Sequence, residues 1–174
     1  MTSPKPLMDL PMDTKNHACT CGGPAQFIET TCPGCNEKGA RVKAATVRYH
    51  LKDTFRTDTT DKIYGLCLSP DCEVSWYAQD GTHHFTTQQT DTQIWAKADA
   101  DPIMACYCNE ITRPMVADAV GKKGLRGMEE IILHYRDEMK SMCAVKNPMG
   151  RCCSEEFEKM IAEELEAYLR CNCG

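Results

Sequence analysis

The sequence lacks any apolar run approaching the roughly 18 residues of a membrane span, which argues against insertion into a bilayer. Its opening stretch, MTSPKPLMDLPMDTKNHACTCGG, has no apolar signal core, so a cytoplasmic location with reduced thiols is expected. Lys and Arg are scattered without a basic run and the net charge is −5, which makes nucleic acid a poor partner. Aromatic residues are only 7% of the chain, leaving few large side chains to build a core. Catalytic constellations are missing as well. There is no Ser-His-Asp ordering and no phosphate-binding glycine loop; the GKKG at Gly121 to Gly124 reads as a helix stop. No enzyme is expected.

What the chain does have is sulfur. Thirteen of its 174 residues are cysteine, an odd count, clustered as C-x-C, C-x-x-C, C-x4-C and CC. In a reducing compartment such clusters are metal ligands rather than disulfides. Soft sulfur donors suit zinc, iron–sulfur clusters and copper(I). The ten methionines read mostly as core filler.

The hydrophobic pattern changes character along the chain and predicts an α+β fold. Residues 1–18, with three prolines and no period, read as a flexible leader. Residues 19–101 are expected to be β-rich. Val47, Tyr49 and Leu51 alternate within Val42–Leu51, Asp80-Gly81 offers a hairpin turn, and TQIWAK could add a short strand. The polar segment KADADP marks the expected boundary, and residues 102–174 turn helical. Thr112 caps one helix, Gly127 to Met142 carries a second, and Ser154 caps a third with Phe157, Ile161, Leu165 and Leu169 as its apolar stripe.

Each half holds its own cysteines. CPGC (Cys32, Cys35) and CLSPDC (Cys67, Cys72) are two turns on strand ends, and together they predict the S4 site of a zinc ribbon. Such a Zn2+ would contribute folding free energy to a β-rich half short of large apolar residues. CTC (Cys19, Cys21) is harder to place. In a loop the pair could bend around copper(I), or it could have no role. His50, His83, His84 and His134 read as core or solvated residues rather than ligands.

In the helical half, CYC (Cys106, Cys108) precedes the first helix, and CAVKNPMGRCC supplies Cys143, Cys152 and Cys153. An antiparallel helical hairpin would bring these loops together and deliver two thiolates from each. That is the complement of a [2Fe–2S] cluster, two thiolates per iron.

CYC followed by ITRPMV and CAVKNPMGRCC resembles the N-terminal domain of CopZ-type copper chaperones, with a motif similar to that of bacterioferritin-associated ferredoxins. YGLCLSPDCEVSWY and CPGCNEKGARVKAATVRYHL resemble the zinc half of the same domain, so the resemblance covers about residues 30 to 153. It implies cluster ligands Cys106, Cys108, Cys143 and either Cys153 or Cys152, and zinc ligands Cys32, Cys35, Cys67 and Cys72. Cys153 is the favoured fourth ligand because it directly precedes the helix cap. The C-x-x-C copper-binding domain that such chaperones append is not found in the chain, which ends instead in a helix with CNC. Cys171 and Cys173, with Cys19 and Cys21, are therefore the candidates for Cu+.

The resemblance implies a cytoplasmic metallochaperone-like protein. Its partners would be metal ions and a copper-transporting ATPase or a redox protein, and it could reduce copper(II) to copper(I). The alternative is a small [2Fe–2S] electron-transfer protein. A third reading, a purely structural metalloprotein with two zinc sites, would leave the protein colourless.

Overall fold

The computed structural model describes residues 26–172. Five antiparallel strands meander in sequence order: β1 (Phe27–Thr31), β2 (Lys38–Lys43), β3 (Ile63–Leu66), β4 (Val74–Ala78) and β5 (His84–Thr86). Val42 faces Tyr64, Leu66 faces Trp76, and Trp76 faces Phe85 across the ladders. These side chains share one face of the sheet and form its larger core. The opposite face holds a smaller cluster of Ile28, Val74 and Tyr77 with Cys32 and Cys67. Strand β4 is buried along its whole length because both faces are covered.

Glycine makes the second face possible. A β-carbon at Gly65 would stand 2.5 Å from the Tyr77 ring, which lies across the strand. The Tyr77 hydroxyl accepts from the Gly39 amide (2.7 Å) and donates to the Thr30 carbonyl (3.1 Å), tying β4 to the first two strands.

Two expectations fail here. The stretch Val42–Leu51 is not one strand: β2 ends at Lys43 and helix α1 (Ala44–His50) follows. Val47 and Leu51 are buried while Tyr49 is 46% exposed. The buried residues Ala44, Val47 and Leu51 recur at helical spacing, and burial against the sheet outweighs the β-propensity of Val and Tyr. TQIWAK forms no strand either. It is a series of turns, with the Lys97 amide bonded to the Ile94 carbonyl (2.9 Å) and Ile94 plugged into the core. A short helix α2 (Asp53–Arg56) and a 3-10 turn (Thr87–Gln89) complete this half.

The second half opens with a two-stranded ribbon, β6 (Met104–Cys106) and β7 (Ile111–Thr112). Helices α3 (Arg113–Lys122) and α4 (Met128–Tyr135) follow, then the single turn α5 (Cys143–Lys146) and the long α6 (Ser154–Asn172). Thr112 is the N-cap of α3, and Pro114 sits in its first turn. Both α3 and α4 pack on α6, so the hairpin expected between them is a three-helix arrangement. Its core is Ile111, Val116, Val120, Ile131, Ile132 and Phe157. The stripe of α6 is buried at Phe157 and Ile161, but Leu169 is exposed. The Cys153 carbonyl accepts from the Phe157 amide (2.8 Å), so the first turn of α6 begins one residue before Ser154.

Helix α4 stops at Tyr135 rather than Met142. Arg136 turns to extended backbone and donates to the carbonyls of Asn109 (2.8 Å), Glu110 (2.9 Å) and Tyr135 (2.9 Å). The side chain that would have continued the helix instead closes the turn after CYC.

The two halves share contacts through the cysteine loops. Thr46 on α1 donates to the Ala144 carbonyl (2.8 Å), and Trp76 Nε1 donates to the Pro148 carbonyl (3.4 Å). Met149 is buried within the core of the sheet half. Gly150 has φ +65°, and a β-carbon there would meet Thr46 Oγ1 at 2.9 Å, so this corner of the loop needs glycine.

Candidate metal centres

The first centre is built on two turns between neighbouring strands. Cys32 and Cys35 lie between β1 and β2, where the Asn36 amide bonds the Cys32 carbonyl (2.9 Å) and the Cys32 amide bonds the Glu37 carbonyl (2.8 Å). Asn36 has φ +62°, a conformation that asparagine tolerates. Cys67 and Cys72 lie between β3 and β4. The four sulfurs all fall within 4.8 Å of one another. Cys32 Sγ is 3.7 Å from Cys72 Sγ, and Cys35 Sγ is 3.6 Å from Cys67 Sγ. A tetrahedron with Zn–S bonds of 2.3 Å has edges of about 3.8 Å, so the donor set fits that ion. Gly34 is required at the crossing, since a β-carbon there would stand 2.9 Å from Cys72 Sγ.

Burial pushes Cys32 up to about 12, and pushes Cys67 up as well. Burial also acts on Cys35, but hydrogen bonds from Ser69, the Glu37 backbone and Cys67 outweigh it and bring that thiol down to about 7. The buried thiols thus favour the neutral form until a cation arrives and displaces their protons.

The second centre is assembled from distant segments: Cys106 at the end of β6, Cys108 two residues on, Cys143 at the start of α5, and Cys153 before α6. All four are buried. Cys108 Sγ is 3.5 Å from Cys143 Sγ, and Cys106 shares sulfur hydrogen bonds with both Cys108 and Cys153. The sulfurs therefore form an open row, Cys143–Cys108–Cys106–Cys153. They do not make a set in which all lie within 4.8 Å, which among the described residues only the first centre does. Hydrogen bonds from Cys108 and Cys153 hold Cys106 far below the ordinary thiol value, while the same bonds push Cys108 and Cys153 up. Cys152 is buried too, and its carbonyl accepts from Arg151 (3.2 Å).

Neighbours that cysteine spacing does not reveal support this row. Asn109 Nδ2 donates to Cys106 Sγ (3.3 Å) and to the Lys140 carbonyl (3.1 Å), while its Oδ1 accepts from the Lys140 amide (2.7 Å). The Tyr107 hydroxyl donates to the Gln93 carbonyl (2.7 Å) and accepts from the Trp95 amide (3.0 Å), anchoring the CYC turn to the sheet half. The position of Asn109, directly after CYC, is the one signal that could have found it.

Cys19, Cys21 and Cys173 lie outside the described residues, and Cys171 is exposed near the end of α6. His50 is buried with Nδ1 2.8 Å from Thr92 Oγ1, and His83 Nε2 is 2.8 Å from the Tyr64 hydroxyl. His84 and His134 are exposed. No helix of the described residues is long and apolar enough to cross a membrane.

A sheet half with a four-sulfur site suited to one metal ion, joined to a helical half with its own row of buried sulfurs, defines a metal-binding α+β domain. Residues 29–91 match a family described as a zinc binding domain of the CopZ type. Over 129 residues, 74% of this chain, the sequence is 30% identical to the copper chaperone CopZ of Archaeoglobus fulgidus. The alignment spans 60% of that relative's length. The X-ray structure of the Archaeoglobus fulgidus CopZ N-terminal domain aligns with a TM-score of 0.63 at 28% identity, covering 75% of this chain and 96% of that one. The chain carries a CopZ-type N-terminal domain.

Proposed function

We propose that the protein is a cytoplasmic metal-handling protein of the copper metallochaperone type. In this reading Cys32, Cys35, Cys67 and Cys72 hold a structural zinc, and Cys106, Cys108, Cys143 and Cys153 hold a [2Fe–2S] cluster. The observation that carries it is the contrast in sulfur geometry: a compact set suited to one ion, and an extended row whose cross-loop pairs suit two. The relative's identity as a copper chaperone supports the cargo. The sulfur hydrogen bond between Cys153 and Cys106 supports Cys153 over Cys152 as the fourth ligand.

When bound, a [2Fe–2S] cluster supplies one-electron chemistry. The residues around the row set the conditions for it. Asn109 and the turn it closes place an N–H against Cys106 Sγ, offsetting negative charge on that sulfur. A cleft of about 420 Å³ reaches Cys108 and is lined by charges of both signs, Arg136, Lys140 and Lys146 with Glu110, Asp137 and Glu138, which gives a redox partner or a metal ion access to the edge of the row. With the cluster bound, the site would supply the one electron that converts copper(II) to copper(I), the state that soft sulfur donors hold, and an external reductase would have to return that electron. A copper-transporting ATPase is the acceptor this role implies, and the protein works by holding and passing metal and electrons rather than by turning over an organic substrate.

The same cleft favours a second reading, a small [2Fe–2S] electron carrier without copper. Titration with copper(I) against a tight chelator separates the two. The chaperone reading expects copper retained beyond the iron and zinc, and reduced protein that converts copper(II) to copper(I). No retained copper would leave the electron carrier.

A further inference from the structure

Lys97 falls in the polar segment that reads as a boundary in the sequence, yet it is only 4% exposed. Its ammonium donates to the carbonyls of Ser69 (3.0 Å), Cys72 (2.9 Å) and Val74 (2.9 Å). An ammonium has three N–H donors, so all are engaged inside the molecule. Two of the accepting carbonyls belong to the Cys67–Cys72 turn itself, and the third to the strand that leaves it.

A buried cation is costly unless charge of the opposite sign faces it. No carboxylate is paired with Lys97 among the described residues. The charge sits instead against the cysteine turn, held there by the carbonyls of Ser69 and Cys72. Four thiolates around one divalent zinc sum to a net charge of about −2, held on a partly buried face of the sheet. The cation and the excess negative charge answer each other.

We propose that Lys97 is the built-in counter-cation of the tetrathiolate site. It is a positioning residue that offsets the site's negative charge and fixes the second cysteine turn through its carbonyls. The inference rests on the zinc reading above. It also explains why the chain folds back at residues 94–98: the turn at Ile94 and the bond from the Ala98 amide to the Pro70 carbonyl (3.1 Å) deliver the side chain to this place. Surface lysines have no need of such a turn.

The test challenges the zinc-loaded full chain, anaerobically, with a chromogenic chelator, and follows cobalt(II) exchange by its thiolate charge-transfer absorption. Wild type is compared with Lys97→Met, Lys97→Gln and Lys97→Arg. Outer partners of metal ligands typically alter affinity by about 10- to 100-fold, and a loss of that size is expected for Met and Gln, with Arg close to wild type. Gln keeps an N–H donor for the carbonyls but has no charge, so its loss is the signature of charge compensation. If the Met variant does not fold, as judged by circular dichroism, the Gln and Arg pair carries the comparison. Gln matching wild type would overturn the proposal and leave a hydrogen-bonding clamp. Wild type that takes up neither zinc nor cobalt would overturn the tetrathiolate reading itself, an outcome distinct from metal-loaded variants that behave alike.

Discussion

The two sulfur centres use the same side chain in opposite ways. The first takes its four cysteines from two turns between adjacent strands, so the sheet register alone brings them together. The second takes them from β6, the turn after it, α5 and the start of α6, segments up to 47 residues apart in the chain (Cys106 to Cys153). Its loops are held from outside. Tyr107 is anchored at Gln93 and Trp95, and Ala144, Pro148 and Met149 are fixed by Thr46, Trp76 and the sheet core. The comparison gives the centres an order of dependence: the first stands on its own half, and the second stands on both.

The sharpest way to break this asymmetry is to remove one ligand from each side. Cys67→Ser should abolish the first site, and with it folding free energy on the order of 10 kcal/mol, as for other structural zinc sites. Because the sheet half pins both loops of the row, iron should be lost as well, which metal analysis and near-UV circular dichroism would record. Cys153→Ser should act in one direction only, losing the visible absorption and the iron while zinc stays near wild type. Cys152→Ser should keep both. Iron lost equally from the two Ser variants would remove the distinction between neighbours in the doublet.

A smaller effect is expected from the buried histidine between the halves. Burial lowers His50 to about 4 from its ordinary 6.5, with the backbone of Asn147 and Val145 opposing the shift. The unfolded chain takes up a proton near pH 6.5 that the folded protein refuses until about pH 4. Stability is therefore full above 6.5, falls as pH drops through that window, and changes no further from this group below 4. The total is about 3 kcal/mol at 1.36 kcal/mol per pH unit. Denaturant unfolding of zinc-loaded protein should show this slope in wild type and a shallower one in His50→Gln. The smallest effect is expected for Asn109→Ala, which removes the N–H facing Cys106 Sγ. With less offset of negative charge, the cluster's reduction potential should move downward, as measured by redox titration.

These centres were unequally legible in the sequence. Cys32, Cys35, Cys67 and Cys72 announce themselves because each pair is a local turn, and local spacing survives in one dimension. Meeting of the CYC and CAVKNPMGRCC loops could be anticipated from the change to helical patterning, but the means differed. No simple hairpin of α3 and α4 does it; both lean on α6, and Arg136 ends α4 early to close the turn. Helix α1 was hidden because Val47, Tyr49 and Leu51 alternate like a strand, while burial follows Ala44, Val47 and Leu51. Lys97 was invisible for a different reason. Nothing in a polar segment distinguishes a solvated lysine from one whose three donors are taken by a distant turn.

The central claim is that one chain holds two centres of different nuclearity. It is tested most directly by iron, sulfide and zinc analysis of anaerobically purified protein, read together with its absorption spectrum. The account predicts two irons and two sulfides for each zinc, with visible sulfur-to-iron absorption. A colourless protein with zinc in both sites and no iron would contradict it.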